Sequence, residues 1–395
     1  MELTREQQGV LDGSRGEVTS RLMRLLVSLG EIFGARRMVP VGSTQVSGVS
    51  YKSIGEPGLE FLEDLADQGV RVTVPTSLNP AGMDLQGWRE LGIPEAFAEK
   101  QQRIMAAFRG MGITAPPTCT PYLIGSVPRL GEHVAWAESS AVVFVNSVLG
   151  ARTNREGGPS ALAAAVCGCT PCYGLHLDEN RRPAVMVEVD ARLQSNADYG
   201  ALGYVLGRKV RGAIPYITGL EGAGRDNLKS LGAAMAASGA VALYHAAGVT
   251  PEAGAMPTAG LELIQVGQAE LVETSAGLDA GETPDLVVTG CPHASLEEVA
   301  AVAGQVRGRT LLKPVWICTS RVIRERAEDE GYLADIESAG GRIVADTCMV
   351  VSPLEELDYG VTSVDSGKAA NYLPGFCKQK VNFRDLYAII EEVLA

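Results

Sequence analysis

The chain is poor in basic charge. Its 34 Lys and Arg face 47 Asp and Glu, for a formal net charge of −13. That balance excludes the basic footprint of a nucleic-acid binder and disfavours adsorption to an anionic membrane. A small anion can still be held in a locally basic pocket. Long apolar runs are also missing, which excludes a membrane-spanning helix, and Met1-Glu2-Leu3-Thr4 opens no secretory signal. A cytoplasmic location is the expectation, and the eight Cys are then thiols, metal ligands or core residues, not disulfides. Aromatic residues are scarce at 5%, while glycine is abundant at 46 residues. Such a composition suits tight strand-to-helix turns and backbone that approaches a ligand closely.

What is present is a soluble-globular balance of 46% apolar and 21% charged residues over 395 positions. That length exceeds one hydrophobic core and calls for two or three domains. The spacing of apolar residues predicts helices over 4–30, 60–68, 94–111, 199–209 and 227–238. It predicts strands over 38–41, 70–78, 141–145, 183–190, 214–217 and in LELIQVG. The acidic, glycine-rich stretch ETSAGLDAGETPD is the best boundary. The resulting division is 1–145, 146–284 and 285–395.

The last region alternates strand and helix cleanly. DLVVTGCPHAS runs from a strand into Cys291 and His293, KPVWIC ends at Thr319-Ser320-Arg321, and Arg342 to Val344 ends near Cys348. Parallel strands with right-handed crossovers put these exits on one edge, where open α/β sheets bind ligands. Cys119 sits in the stiff segment Pro116-Pro117-Thr118-Cys119-Thr120-Pro121. Two thiols on one edge and a third in a rigid loop make a three-Cys iron or iron–sulfur site; unrelated buried thiols account for the same residues. Cys167, Cys169 and Cys172 form C-x-C-x-x-C, with His176 the one further ligand nearby. The small-residue helix abutting them favours a structural role, with a redox role as the alternative.

Other strand exits are polar. Gly48, Val49, Ser50 and Lys52 offer backbone N–H groups, a hydroxyl and an ammonium, and Asn79-Pro80 closes another strand. Asn146 and Ser147 open a long loop carrying Arg152 and Arg155 ahead of the helix SALAAAV. A helix start beside guanidinium groups suits a carboxylate or a phosphate. Lys368 closes a further loop at 362–368.

Taken in order, QVSGVSYKSIGEPG (45–58), TSLNPAGMD (76–84), PPTCTPYLIG (116–125), NSVLGARTNREGGPSALAAA (146–165), YGLHLDENR (173–181), TGCPHAS (289–295), KPVWICTSR (313–321), DTCMVV (346–351) and SGKAANYLPG (366–375) resemble the large subunit of the aconitase X family over nearly the full length. The resemblance implies an aconitase-like α/β architecture of several domains, with mainly parallel sheets flanked by helices, lacking the swivelling domain. It implies a hydro-lyase whose iron centre is held by Cys119, Cys291 and Cys348. A [4Fe-4S] cluster is the expectation, with [2Fe-2S] or mononuclear iron open. Gly48, Val49, Ser50, Asn79, Pro80, Asn146, Ser147, Arg152, Arg155 and Lys368 are the expected substrate contacts, with His293 and Arg321 beside them. No catalytic base is expected here; a Ser on a separate small subunit carrying the swivelling domain supplies it, in a heterodimer or larger assembly. The implied reaction is dehydration of (R)-5-phosphomevalonate to trans-anhydromevalonate 5-phosphate in an archaeal-type mevalonate pathway. Dehydration of cis-3-hydroxy-L-proline is the alternative, and because both substrates carry a carboxylate, Arg residues do not decide between them. A noncatalytic iron-binding subunit is the reading from a different class.

Overall fold

A computed structural model describes residues 1–395. Fourteen short strands run in chain order: β1 Met38–Pro40, β2 Thr44–Val46, β3 Thr76–Leu78, β4 Ala135–Trp136, β5 Cys169–Pro171, β6 Val185–Asp190, β7 Pro215–Thr218, β8 His245–Ala246, β9 Glu262–Gly267, β10 Leu286–Thr289, β11 Val315–Thr319, β12 Arg342–Ala345, β13 Val361–Val364 and β14 Lys380–Phe383. They form three parallel sheets, β3-β2-β4, β8-β7-β6-β9 and β12-β11-β10-β13-β14, and one antiparallel pair, β1-β5. Helices flank the sheets, so the mainly parallel α/β architecture that the family resemblance implies is what forms.

The five-stranded sheet shows why. β10 and β11 are buried at every position, as parallel strands covered on both faces must be. Their register is fixed by pairs such as Val287 with Val315 and Ile317 with Ile343. Alternate residues serve opposite faces: Leu286 and Val288 pack with Val364, Leu373 and Phe383, while Val287 packs with Val299, Val302 and Ile336. Each helix start is fixed by polar side chains at the strand exits. Ser295 caps Leu296–Val306 in a reciprocal box with Glu298, Ser320 caps Arg321–Asp329, and Ser366 caps Gly367–Cys377. No helix is long and apolar enough to cross a membrane.

The structure differs from the sequence reading in four places. Ala141 to Val145 is not a strand but the middle of the helix Ser139–Ser147, buried at every residue. A uniformly apolar run has no period, so burial on all sides decides its conformation. The strand expected over 70–78 shortens to β3, because Val70 to Val74 runs along the surface of neighbouring helices, with Thr73 N–H donating to the Ala165 carbonyl. The helix expected from Glu60 begins at Tyr51, capped by Ser50 and kinked at Gly55, whose φ is 59°. Half of the acidic stretch at 273–285 belongs to the helix Gln268–Leu278.

Candidate active site

One cavity of about 340 Å³ collects residues from six strand exits in two sheets. From the three-stranded sheet, β2 delivers Gly48, Val49 and Ser50, β3 delivers Asn79 and Pro80, and β4 delivers Glu138 and Ser139. From the five-stranded sheet, β10 delivers Cys291, β12 delivers Cys348, and β13 delivers Lys368. Cys119 arrives from the proline-rich segment, and Arg155 and Glu156 from the turn before the helix Gly158–Cys167. The site thus lies between the carboxyl ends of two facing parallel sheets, the general ligand position of such folds.

Local constraints hold each exit. Gly290 has φ 90°, and a Cβ there would lie 2.0 Å from the Cys318 carbonyl oxygen, so only glycine lets β10 turn sharply into Cys291. The Cys291 carbonyl accepts a hydrogen bond from the Ser366 hydroxyl. Gly48 has φ 77°, and Ser50 donates to the Val351 carbonyl at 2.8 Å, tying the β2 exit to the turn after Cys348.

His293 joins all three cysteine loops. Its backbone N–H donates to Cys119 Sγ at 3.1 Å. Its ring Nε2 lies 2.9 Å from the Thr347 carbonyl, and its Nδ1 lies 2.9 Å from Thr118 Oγ1. A carbonyl only accepts, so Nε2 carries the proton and Nδ1 accepts a hydrogen bond from the Thr118 hydroxyl. Burial, seconded by Lys368 and opposed by the Thr347 carbonyl, pushes the imidazole down to about 4, which keeps it neutral. His293 is wholly buried and does not line the cavity.

All eight cysteines are free thiols. No group of three or more His, Cys, Asp or Glu side chains converges on a single-ion site; Cys119, Cys291 and Cys348 are arranged around the cavity instead. Burial raises all three thiols, Cys291 to about 12, and the Lys368 ammonium pulls each one back. Three soft donors beside a cation, with an amide N–H already aimed at one sulfur, fit an iron–sulfur cluster, whose ligands are thiolates stabilised by N–H donors and nearby positive charge. Cys167, Cys169 and Cys172 lie elsewhere: Cys167 ends the helix Gly158–Cys167, Cys169 starts β5, and Cys172 follows that strand.

Four acidic or basic side chains line the cavity: Glu138, Arg155, Glu156 and Lys368. Lys368 and Glu138 form an ion pair, with the ammonium also donating to Ser140 Oγ at 3.3 Å. Burial opposes the Glu138 charge, but Lys368, with Arg155 behind it, holds the carboxyl at about 2. Arg155, exposed, is the other cation on the rim. Glu156 has no ion-pair partner; the Ser160 and Thr170 hydroxyls donate to it at 2.6 and 3.1 Å, and burial raises it.

The remaining expected contacts are placed outside the cavity. Asn146 donates to the Thr153 and Ala242 carbonyls, and the Ser147 hydroxyl accepts the Tyr244 N–H. Both end a helix, not a strand, and face its neighbours. Arg152 pairs with Asp178 and donates to the His176 carbonyl. Arg321 bridges Asp84 and Asp346 at 2.6 Å each, clamping the β3 and β12 exits together. The sequence reading passed over Glu138, Ser139 and Glu156. The rule that found Asn79, a polar residue just past a strand, would also find Glu138, but β4 is two residues long and leaves no pattern.

Comparison with known proteins gives the family. Family models for the first, second and third domains of aconitase X match residues 1–179, 183–276 and 284–395. A curated relative from Methanocaldococcus jannaschii, the phosphomevalonate dehydratase large subunit, is 53% identical over 404 residues, covering 100% of this chain and 99% of that one. A more distant relative, the cis-3-hydroxy-L-proline dehydratase of Pseudomonas aeruginosa, is 38% identical over 97% of this chain and 68% of its own length. The crystal structure of Thermococcus kodakaraensis aconitase X in its holo-form superimposes with a TM-score of 0.94 at 44% identity, covering 100% of both chains. The chain therefore belongs to the aconitase X family of hydro-lyases.

Proposed function

We propose that this chain is the metal-binding and substrate-holding part of a dehydratase for (R)-5-phosphomevalonate, completed by a small subunit that brings the proton-abstracting Ser. The observation that carries this reading is the convergence of Cys119, Cys291 and Cys348 with Lys368 and Arg155 on one cavity. The three thiols would hold an iron–sulfur cluster, most simply [4Fe-4S], which when bound supplies a Lewis acid for the departing hydroxyl. Everything else falls to side chains. Lys368 is a compact cation deep in the wall, placed to attract a carboxylate. Arg155 on the rim, beside the N-terminus of the helix Gly158–Cys167, suits the phosphate. The backbone at Gly48 and Val49 and the Ser50 turn form the wall between them. The 53% identity to a phosphomevalonate dehydratase large subunit supports the same substrate.

One observation favours cis-3-hydroxy-L-proline as a second substrate reading. Glu138 places a carboxylate in the cavity wall, the acceptor that a ring ammonium needs. The two are separated by anaerobic copurification with the small subunit and assay on each substrate by ultraviolet absorbance. Turnover of phosphomevalonate with hydroxyproline untouched is expected. Turnover of hydroxyproline alone transfers the assignment, and no reaction with either defeats the dehydratase reading.

A further inference from the structure

We infer that Tyr372 and Phe376 are specificity-determining residues: they form an aromatic wall for the carbon arm of an elongated substrate with an anionic group at each end. The cavity is two-sided. Its serines, with Glu138, Arg155 and Glu156, come from the first part of the chain. The exits of the five-stranded sheet contribute one charge, Lys368, and otherwise thiols, valines and this aromatic pair.

Lys368, Tyr372 and Phe376 stand four residues apart on the helix Gly367–Cys377, and all three line the cavity. That spacing keeps them on one side of the helix, each about 6 Å further along its axis. Exposure rises in the same order: Lys368 is 8% exposed, Tyr372 is half-buried and Phe376 is 57% exposed. The helix therefore runs from floor to mouth as cation, phenol, phenyl. Tyr372 is backed by the core that contains Leu373 and Cys377. Its ring meets Phe376 edge-on, with centroids 5.6 Å apart and planes at 85°. Rings left open at a cavity mouth keep apolar surface in water, and methylene groups laid against them remove it.

A ligand whose carboxylate sits at Lys368 must pass these rings to bring a second anion to Arg155 at the rim. A compact acid reaches Lys368 and leaves the rings uncovered. Closed into a ring and lacking a second anion, cis-3-hydroxy-L-proline is of that compact kind. The wall thus selects by length, independently of the hydroxyl that departs.

The inference rests on the phosphomevalonate reading of the cavity, but its test separates the two. The assembled enzyme, with its small subunit, is assayed on (R)-5-phosphomevalonate and inhibited with 3-hydroxy-3-methylbutanoate. That acid keeps the carboxylate and the tertiary hydroxyl but lacks the phosphorylated arm. Iron content and retention of the small subunit are measured in every sample. Phe376→Ala should raise KM for phosphomevalonate about tenfold, the worth of roughly two methylene groups returned to water. Tyr372→Ala should act in the same direction, and in both variants kcat should change far less than KM. The inhibition constant of the short acid should not move, and Phe376→Leu should recover most of the loss. Equal weakening of both ligands, or of neither, would overturn the inference. So would release of the small subunit from Phe376→Ala, which would make this face a docking surface instead. Wild-type binding of phosphomevalonate without turnover, still weakened by Phe376→Ala in titration calorimetry, would count against the dehydratase reading alone.

Discussion

Replacing His293 by alanine removes the one side chain that touches two cysteine loops while belonging to the third. Its ring makes two hydrogen bonds, to Thr118 Oγ1 and to the Thr347 carbonyl, each 2.9 Å long. Each contributes about 1 kcal/mol net, and the Thr347 carbonyl left buried without a donor costs roughly a further 1 kcal/mol or more. The total is about 3 kcal/mol. The His293 backbone N–H that serves Cys119 Sγ survives the change, so no thiol and no N–H···S bond is deleted. The cost falls on the relative placement of the three loops, which any group held by all three thiols must restore. Metal retention should therefore weaken roughly 100-fold, and the thermal midpoint should fall by a few degrees. The assay is iron and sulfide per chain after anaerobic purification and dialysis against a chelator, with visible absorbance and a thermal melt alongside. If iron content, absorbance and midpoint all match the wild type, the imidazole is not what holds the loops in register.

Three further outcomes are expected. Arg321→Ala strands the buried carboxylates of Asp84 and Asp346; thermal or urea melts should show a loss of about 3–5 kcal/mol, and a change within error would demote the clamp. Asp365 is pushed up to about 7 by burial and by nearby Glu298, against the Thr289 hydroxyl and Lys229. Below pH ~4 its carboxyl is protonated in folded and unfolded chains alike; between about pH 4 and 7 only the unfolded chain ionises it. Stability should thus fall by about 4 kcal/mol across that window from this group alone. Asp365→Asn should flatten that slope in urea titrations at pH 5 and 8, and an unchanged slope would refute it. Replacing Cys167, Cys169 and Cys172 together by Ser should leave iron content intact, whereas Cys291→Ser should abolish it; the reverse pattern would move the metal site.

The strand exits were the most legible part of the chain. DLVVTG, KPVWIC and RIVAD each combine a short buried run with a turn, and parallel topology then obliges Cys291, Arg321 and Cys348 onto one edge. Which exit residues face the cavity is a different matter. Arg152 and Arg155 stand three residues apart in one polar loop, yet Arg152 pairs with Asp178 while Arg155 reaches the rim; that choice is made by a partner 26 positions away. Asn146 looked like a ligand contact because AVVFV looked like a strand, and a helix instead turns its amide onto Thr153 and Ala242. Glu138 left no local trace, since its importance comes from Asn79 and Lys368, 59 and 230 positions distant.

The division of the site between two sheets has a consequence for assembly. Cys119 travels with the half that contains β2, β3 and β4, whereas Cys291 and Cys348 travel with the half that contains β10 and β12. A group bound to all three sulfurs is a cross-brace between two sheets built from distant parts of the chain. It must be installed after the halves have closed on each other, or must itself draw them shut. Oxidative loss of such a brace would slacken the seam as well as silence the chemistry, so amide exchange along the β2, β3 and β4 exits should speed up when the enzyme is exposed to air.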